Sequence, residues 1–269
     1  MNLEIIRQNL AVMISGSEFE GKCFLAGGCV RDWRLGREST DLDLTVEMKD
    51  GGIKLARFLA TRLNDSPLRT IVCTSASAGT SLRIFNEFGT AKLTHETVEI
   101  EFTMTRKELY YPKSRHPRVS FGTLRDDVLR RDFTINALLM DIQSGDILDL
   151  CDRGLADLEH GVVRCVGDPL IVLAEDPLRI LRALRFAARL GFDIDPDTWK
   201  GIVANAKCVL HLSANRISSE IKKICAEADL PAFQRLLAQS GIIQALEVNP
   251  RKASLFNALM TSGTIGDLS

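Results

Sequence analysis

The chain has 269 residues, 45% of them hydrophobic and 26% charged, which is the composition of a globular protein with one larger or two small domains. Its net charge of −1 excludes a global attraction to nucleic acid, so an RNA-binding surface would need uneven placement of the 34 basic residues. The sequence shows no long apolar run and no secretory signal, so we expect no membrane partner, and seven cysteines without zinc-ligand spacing predict a reduced, cytoplasmic chain.

Apolar periodicity predicts an α+β protein. In the first part of the chain it indicates helices at residues 3–15 and 51–63. Strands are predicted at residues 22–26, 41–47, 69–74 and 97–105. Beyond about residue 155 no strand pattern is found, and helices are predicted at 176–190, 196–207, 213–227 and 231–240. Strands followed by helices favour two domains, one over residues 1–152 and a helical one over residues 153–269.

Two aspartates stand out in the strand predicted at 41–47. The period-2 alternation of a strand places Asp41 and Asp43 on one face and Leu42 and Leu44 on the other. Neighbouring carboxylates repel each other, and a hard cation, most often Mg²⁺, usually relieves that repulsion. The pair therefore predicts a two-metal site for phosphoryl or nucleotidyl transfer. The alternative is that both acids lie on the solvated face of an edge strand.

A glycine pair precedes these aspartates. The segment 24–26 reads as the end of a buried strand, and Gly27 and Gly28 read as a turn that allows a ligand close to the backbone. A short helix is predicted from about Cys29, and Arg31 lies in its first turn. Free N–H groups at a helix start, together with an arginine, favour phosphate binding.

The strand predicted at 97–105 supplies more acids. Glu99, Glu101 and Thr103 share one face of this strand. Either glutamate can bring a third carboxylate to the metal site. The alternative is a half-buried strand with an acidic outer face.

Two later segments also cluster polar groups. In LRRDFTINALLMD, residues 129–141, the side chains of Arg131, Asp132 and Asn136 offer the donors and acceptors that a ribose hydroxyl and a phosphate require. The alternative for this segment is an amphipathic capping element with an internal Arg-Asp pair.

The segment EDPLRILRALRFAARLGF, residues 175–192, predicts an amphipathic helix. Asp176, Arg179, Arg182 and Arg185 follow one another at intervals of three along one side. The alternative for this helix is a solvated basic face with an acid that favours the helix dipole.

Together these segments resemble a known family. The runs GGCVRD, LGR and DLDL lie in this order between residues 27 and 44, followed by the segments 129–141 and 175–192. They resemble the signature of the class II tRNA nucleotidyltransferase and bacterial poly(A) polymerase family. The resemblance implies a nucleotidyltransferase head with a small mixed β-sheet and helices, followed by an all-helical neck and body. It also selects Glu101 over Glu99 as the third carboxylate, because Glu101 stands five residues before Arg106.

The resemblance further assigns nucleotide-binding roles. Gly27, Gly28 and Arg31 would bind the triphosphate, and Arg131 and Asp132, beside Asn136, would bind the sugar. Asp176 and Arg179 would bind the base edge of CTP or ATP. Arg182 and Arg185 would be phosphate or structural partners.

The implied function is template-independent addition of CMP and AMP to the 3′ end of tRNA. The RNA 3′-hydroxyl would attack the nucleotide α-phosphate at Mg²⁺ ions held by Asp41, Asp43 and Glu101. A poly(A) polymerase or an A-only enzyme shares these motifs and remains an alternative. The alternative from another functional class is an RNA-binding relative without catalytic activity.

Overall fold

A computed structural model describes residues 2–39, 41–62, 80–85, 89–95, 98–109, 118–247, 249, 252–254 and 256. The chain divides into two compact units. The first comprises Met1–Arg131 and Ile135–Leu155, and the second comprises Asp132–Thr134 and Ala156–Ser269. The strand predicted at 69–74 lies outside the described residues.

The part of the chain up to residue 148 contains both helices and strands. Its described helices are α1 (Leu3–Ile14), α2 (Gly28–Arg34), α3 (Gly51–Arg62), α4 (Leu124–Leu129) and a 3-10 turn at Thr134–Asn136. Its described strands are β1 (Cys23–Ala26), β2 (Asp41–Val46), β3 (Thr80–Phe85), β4 (Thr90–His95), β5 (Val98–Met104), β6 (Arg106–Leu109), β7 (Arg118–Phe121), β8 (Leu139–Asp141) and β9 (Ile147–Leu148). The predicted helices at 3–15 and 51–63 and strands at 22–26, 41–47 and 97–105 are confirmed to within two residues.

Seven of these strands form a mixed sheet in the order β3-β4-β5-β2-β1-β8-β9. β2 and β5 pair in parallel, whereas the other neighbours pair antiparallel. Helix α3 packs on this sheet through Gly52, where an added Cβ would lie 2.8 Å from the carbonyl oxygen of Phe102. Only glycine permits so close an approach. The mixed sheet agrees with the predicted fold class.

The second part of the chain is mostly helical. Its described helices are α5 (Gly154–His160), α6 (Pro169–Glu175), α7 (Leu178–Leu190), α8 (Pro196–Asn205), a 3-10 helix at Ala206–His211, α9 (Ala214–Glu227), α10 (Leu230–Gln239) and α11 (Ile242–Leu246). Two further strands, β10 (Val162–Val163) and β11 (Asp193–Ile194), pair in parallel. The expectation of no strand beyond residue 155 is therefore wrong at these four positions, because two-residue strands are too short to show an alternating pattern.

Helix α7 begins two residues later than predicted. Asp176 has an extended backbone (φ −135°, ψ 94°) and closes the preceding helix α6, which the sequence analysis did not predict. Pro177 then caps α7, and Gly191 ends it in the left-handed region at φ 72°. Leu181 and Leu184, on the apolar side of α7, are fully buried.

The six cysteines in the described ranges are free. Burial raises the pKa of Cys29 to about 11 and that of Cys23 and Cys165 to about 12, so these thiols stay protonated and serve as packing residues. Over the same ranges, no helix has the length and apolar character needed to cross a membrane.

Candidate functional site

Four acids share the exposed face of two neighbouring strands in the first unit. In the parallel pair of β2 and β5, Asp41 is in register with Glu99 and Asp43 with Glu101. The leucine and isoleucine between them point to the buried side of the sheet. We call Asp41, Asp43, Glu99 and Glu101 the acid face. Both predicted aspartates and both candidate glutamates thus lie together.

One member of the acid face is already paired. Lys92 on β4 places its Nζ 2.6 Å from Glu99 Oε2. This hydrogen bond raises the pKa of Lys92. Among the hydrogen bonds and ion pairs of the described residues, none involves the carboxylate of Glu101. The contacts therefore favour Glu101 over Glu99 as the carboxylate open to a ligand.

The acid face has the donor chemistry of a divalent cation site. As placed, no group of three or more His, Cys, Asp or Glu side chains among the described residues converges on one point as a metal site would require. The in-register partners Asp43 and Glu101 nevertheless stand on strands about 4.8 Å apart. Side-chain rotations can close such a gap, and carboxylate oxygens are the ligands that Mg²⁺ prefers. The donor set thus fits Mg²⁺.

The glycine turn lies beside the acid face. Gly27 follows β1 with φ 71° and ψ −126°, a conformation that disfavours any residue with a side chain. A Cβ at this position would lie 3.0 Å from Arg131 Nη1, 3.6 Å from the Asn136 carbonyl oxygen and 3.9 Å from Asp43 Oδ2. The turn therefore brings together four positions that the sequence analysis selected separately.

Arg31 is buried beside this turn, and its Nη2 lies 3.7 Å from the position of a Cβ at Gly28. Its Nε donates to Asp32 Oδ1 at 2.8 Å, and its Nη1 donates to Asn136 Oδ1 at 2.5 Å. The side chain is 2% exposed. These contacts favour a supporting role for Arg31, and its predicted contact with a triphosphate stays a prediction.

Arg131 is held against the turn by a buried acid. Its Nη2 donates to Asp127 Oδ2 at 3.0 Å and its Nη1 to the Asn136 carbonyl oxygen at 3.2 Å. Asp127 is fully buried and also accepts from Arg130 at 2.7 Å. Although burial acts to raise the pKa of Asp127, the charges of Arg131 and Arg130 hold it below its ordinary value. Asp127 therefore stays ionised and fixes the guanidinium of Arg131.

The other predicted residues belong to the second unit, where Asp132 and Arg182 form a pair. Asp132 Oδ2 accepts from Arg182 Nε at 2.7 Å, and its Oδ1 accepts from the N–H of Phe133 at 2.8 Å. The charge of Asp132 raises the pKa of Arg182. A sugar hydroxyl would have to share a carboxylate that Arg182 already orients.

Asp176 is oriented by a residue that the sequence analysis missed. Arg216 on α9 donates to both carboxylate oxygens of Asp176 at 2.9 Å, and the N–H of Leu178 donates to Oδ1 at 3.2 Å. Arg179, the other predicted base-reading residue, donates to the carbonyl oxygen of Val172 at 3.4 Å. Arg216 lies 40 residues from Asp176, so spacing gives no signal for this contact.

Arg185 lies in a buried ion-pair network between α7 and α9. Its Nε donates to Glu220 at 2.6 Å and its Nη1 to Glu227 at 2.9 Å. Arg185 and Glu220 are each 4% exposed. These contacts favour a structural role for Arg185 over the other predicted role, phosphate binding.

Two family models match the chain. The model described as the Poly A polymerase head domain matches residues 23–164. A second, described as a probable RNA and SrmB-binding site of polymerase A, matches residues 191–249. The head-domain match covers more than half of the chain and includes the acid face, the glycine turn and Arg131.

Curated relatives match over most of the chain. A tRNA nucleotidyltransferase of Schizosaccharomyces pombe is 35% identical over 82% of this chain and 46% of its own length. An A-adding tRNA nucleotidyltransferase of Aquifex aeolicus is 36% identical over 88% of this chain and 28% of its own length. The chain thus spans less than half the length of these two relatives.

A solved structure shares the fold. The Bacillus stearothermophilus CCA-adding enzyme in complex with CTP is 25% identical, with a TM-score of 0.71 over 98% of this chain and 59% of that chain. The sequence match, the structural match and the acid face beside a glycine turn all support the same family. The chain belongs to the poly A polymerase head-domain family, which the class II tRNA nucleotidyltransferase signature in its sequence had indicated.

Proposed function

We propose that this chain adds CMP and AMP to the 3′ end of tRNA, completing all or part of a CCA end without a nucleic acid template. The observation that carries the proposal is the acid face beside the Gly27 turn, within the segment that the head-domain family matches. The names of the relatives and of the solved structure support it. Because the chain spans under half of the two curated relatives, its activity and substrates need a direct assay.

In the proposed reaction, the RNA 3′-hydroxyl oxygen forms a bond to the α-phosphorus of CTP or ATP. The bond between that phosphorus and its bridging oxygen to the β-phosphate breaks, and pyrophosphate leaves. The backbone at Gly27 and Gly28 and the guanidinium of Arg131 would hold the triphosphate. The Nε of Arg131 supports this role, because it is a buried donor without a hydrogen-bond partner in the described structure.

Asp41, Asp43 and Glu101 would hold Mg²⁺ ions. When bound, the cations would neutralise phosphate charge and lower the pKa of the attacking hydroxyl. The residues themselves supply carboxylates on two adjacent strands, and the contact of Lys92 with Glu99 supports the choice of Glu101.

The second unit would select the nucleotide. Cytosine and adenine each present an amino group that can donate to a carboxylate. Asp176 would accept that hydrogen bond, and Arg179 would donate to an acceptor on the base edge. Asp132 and Arg182 would bind the sugar and phosphates. We propose residues 1–152 as the catalytic head and residues 153–269 as neck and partial body, in the cytoplasm, where free cysteines stay reduced.

A second candidate is addition of AMP alone. The observation that favours it is the name of the Aquifex aeolicus relative, an A-adding enzyme. A poly(A) polymerase is the third possibility, since it would use the same acid face with a broader choice of RNA.

One assay separates these functions. The purified 269-residue chain is incubated with Mg²⁺, labelled CTP or ATP, and tRNA that ends before or after CC, with an unrelated RNA as control. We expect CTP and ATP incorporation confined to tRNA. ATP incorporation onto the CC end alone indicates an A-adding enzyme, and ATP incorporation onto any RNA indicates a poly(A) polymerase. Lack of incorporation with every substrate contradicts all three functions.

A further inference from the structure

Helix α9 keeps its acidic side chains on its inner side. The chain has 34 basic and 35 acidic residues, so an RNA-binding surface requires that the two kinds be separated locally. The two acids of α9 are Glu220 and Glu227. Glu220 lies 2.6 Å from Arg185 on α7, and Glu227 lies 2.9 Å from Arg185 and 3.1 Å from Arg189. Both negative charges of α9 are therefore used in ion pairs with α7.

The outer side of α9 is basic. After the first residue of the helix, its exposed side chains are Asn215, Arg216, Ser219, Lys222, Lys223 and Ala226. We call these six residues the basic face. Among the hydrogen bonds and ion pairs of the described residues, none involves the side chain of Lys222 or Lys223. By contrast, the exposed Lys200 on α8 lies 2.8 Å from Asp197. The two lysines of α9 are thus open to an anionic partner.

The residue types of the basic face indicate which partner it fits. The centre of a protein interface depends on aromatic and large apolar side chains, and the basic face has none. Lys, Ser and Asn are instead side chains that contact phosphate and sugar oxygens. Single-stranded nucleic acid is bound with the help of aromatic residues on which bases stack, and α9 contains no aromatic residue. Base-paired RNA, which presents phosphates and 2′-hydroxyls, fits this face best.

The basic face begins beside the acid that we propose to read the base. Arg216 donates to both carboxylate oxygens of Asp176 at 2.9 Å. Lys222 and Lys223 follow Arg216 by six and seven residues, which is about 9 and 10.5 Å along the helix axis. RNA bound to these lysines would therefore lie close to the residue that selects the incoming nucleotide.

We propose that the basic face of α9 binds the phosphate backbone of the base-paired part of the RNA substrate. This inference rests on the proposed function in one respect, namely that RNA is the substrate. Lys222 and Lys223 contact phosphates as point charges and do not read sequence. Arg216 remains paired with Asp176, so the two lysines supply the charge that the RNA neutralises.

The test measures how RNA binding by the full chain depends on salt. The RNA is a labelled blunt duplex without unpaired nucleotides, and its affinity is measured by fluorescence anisotropy at several KCl concentrations, without nucleotide or Mg²⁺. Loss of one lysine–phosphate contact lowers the slope of log affinity against log salt by about one. We expect Lys222→Ala/Lys223→Ala to lower this slope by about two. The change should be equal for two duplexes of unrelated sequence.

A matched control separates position from net charge. Lys54→Ala/Lys200→Ala removes the same charge from exposed lysines on α3 and α8, and we expect it to keep the wild-type slope. An equal fall in this control overturns the proposal, because it would reflect net charge alone. An unchanged slope in Lys222→Ala/Lys223→Ala also overturns it and would favour an acidic protein as the partner. A fall confined to single-stranded RNA overturns the assignment to base-paired RNA.

The outcome for α9 is independent of the transfer assay. If the chain adds nucleotide to no RNA but binds the duplex with a slope that depends on Lys222 and Lys223, the proposed function fails and the role of the basic face stands. If the wild-type chain does not bind the duplex, the role of the basic face is overturned, even where nucleotide is added to tRNA.

Discussion

The two arginines near the Gly27 turn differ in what holds them. Arg31 donates to Asp32 and Asn136 inside the first unit. Arg131 is held by Asp127 and by the backbone of Asn136, while its Nε has no hydrogen-bond partner among the described residues. A buried donor without a partner is costly unless a ligand satisfies it. We therefore propose Arg131 as the phosphate donor and Arg31 as a residue that supports the turn.

At the scale of single residues, Asp41 gives the most direct test of catalysis. Asp41→Ala removes a carboxylate from the exposed end of β2, where no packing depends on it. We expect loss of incorporation by on the order of 10²–10³-fold or more, because charge stabilisation at the transferred phosphate is lost. Circular dichroism and the unfolding midpoint should stay as in the wild type. Glu18→Ala, which removes an exposed acid elsewhere in the first unit, serves as the control. Full activity in Asp41→Ala would refute the assignment.

We expect substitution of Asp127 to lower the free energy of unfolding, and to affect catalysis only through the loss of structure. Asp127→Asn removes the charge that pairs with two arginines at a fully buried position. Breaking a buried pair by changing one partner costs about 3–5 kcal/mol. Urea unfolding of the variant measures this loss. A variant with an unchanged midpoint would show that the two arginines find water or other acceptors.

The same residue makes stability depend on acid pH. The folded pKa of Asp127 lies below its ordinary value of 3.8, so the unfolded chain binds this proton more readily. Its contribution is fully present above that ordinary value and is lost as the pH falls through the lower folded pKa. Unfolding midpoints of wild type and Asp127→Asn should therefore converge as the pH is lowered below the ordinary value.

At the scale of elements, the contact between α7 and α9 depends on Arg185. Arg185→Met leaves Glu220 buried without its guanidinium partner, which we expect to cost about 3–5 kcal/mol in the free energy of unfolding. The double variant Arg185→Met/Glu220→Met should recover most of this loss, because an apolar pair can replace a buried ion pair. Lys200→Met, which breaks an exposed pair on α8, should leave the midpoint unchanged. Additive losses in the double variant would refute the pairing.

The sequence pattern predicted those elements in which apolar residues recur at the regular spacing of a strand or a helix. β2 alternates acid and leucine, and α7 carries apolar residues at helical spacing, so both were found. Strands β3 and β4 were missed, since TAKLTH in β4 offers only two apolar anchors. Helix α6 was also missed, although Asp168 at its N-cap and Pro169 at its first position are a helix-start signal.

Contacts between distant residues could not be predicted. The pairing of Asp127 with Arg131 is local, at a spacing of four residues, but Arg131 lies beyond the end of α4, so helical periodicity does not predict it. Asn136 as the partner of Arg31 is 105 residues away and depends on the fold of the first unit. The choice of Lys92 between two glutamates depends on side-chain conformation, on which periodicity carries no information.

At the scale of the whole molecule, RNA binding and catalysis should respond differently to cations. Chelation of divalent ions should abolish incorporation and triphosphate binding but leave tRNA binding, because RNA contacts rest on basic side chains. Filter binding of tRNA and of labelled ATP, each with and without EDTA, measures both. Magnesium-independent triphosphate binding would contradict the acid face as its site. RNA binding alone, with no triphosphate binding at any Mg²⁺ concentration, would indicate an RNA-binding relative without catalytic activity.

The parallel pairing of β2 with β5 also bears on how the chain folds. Thr45 and Thr103 meet across this pair although they are 58 residues apart. Closing so long a loop costs entropy before any contact compensates for it, and such distant pairings form slowly. Mutual repulsion of the four acids opposes the same step. A refolding chain would therefore form the acid face among its last events, and a partly folded intermediate would lack it.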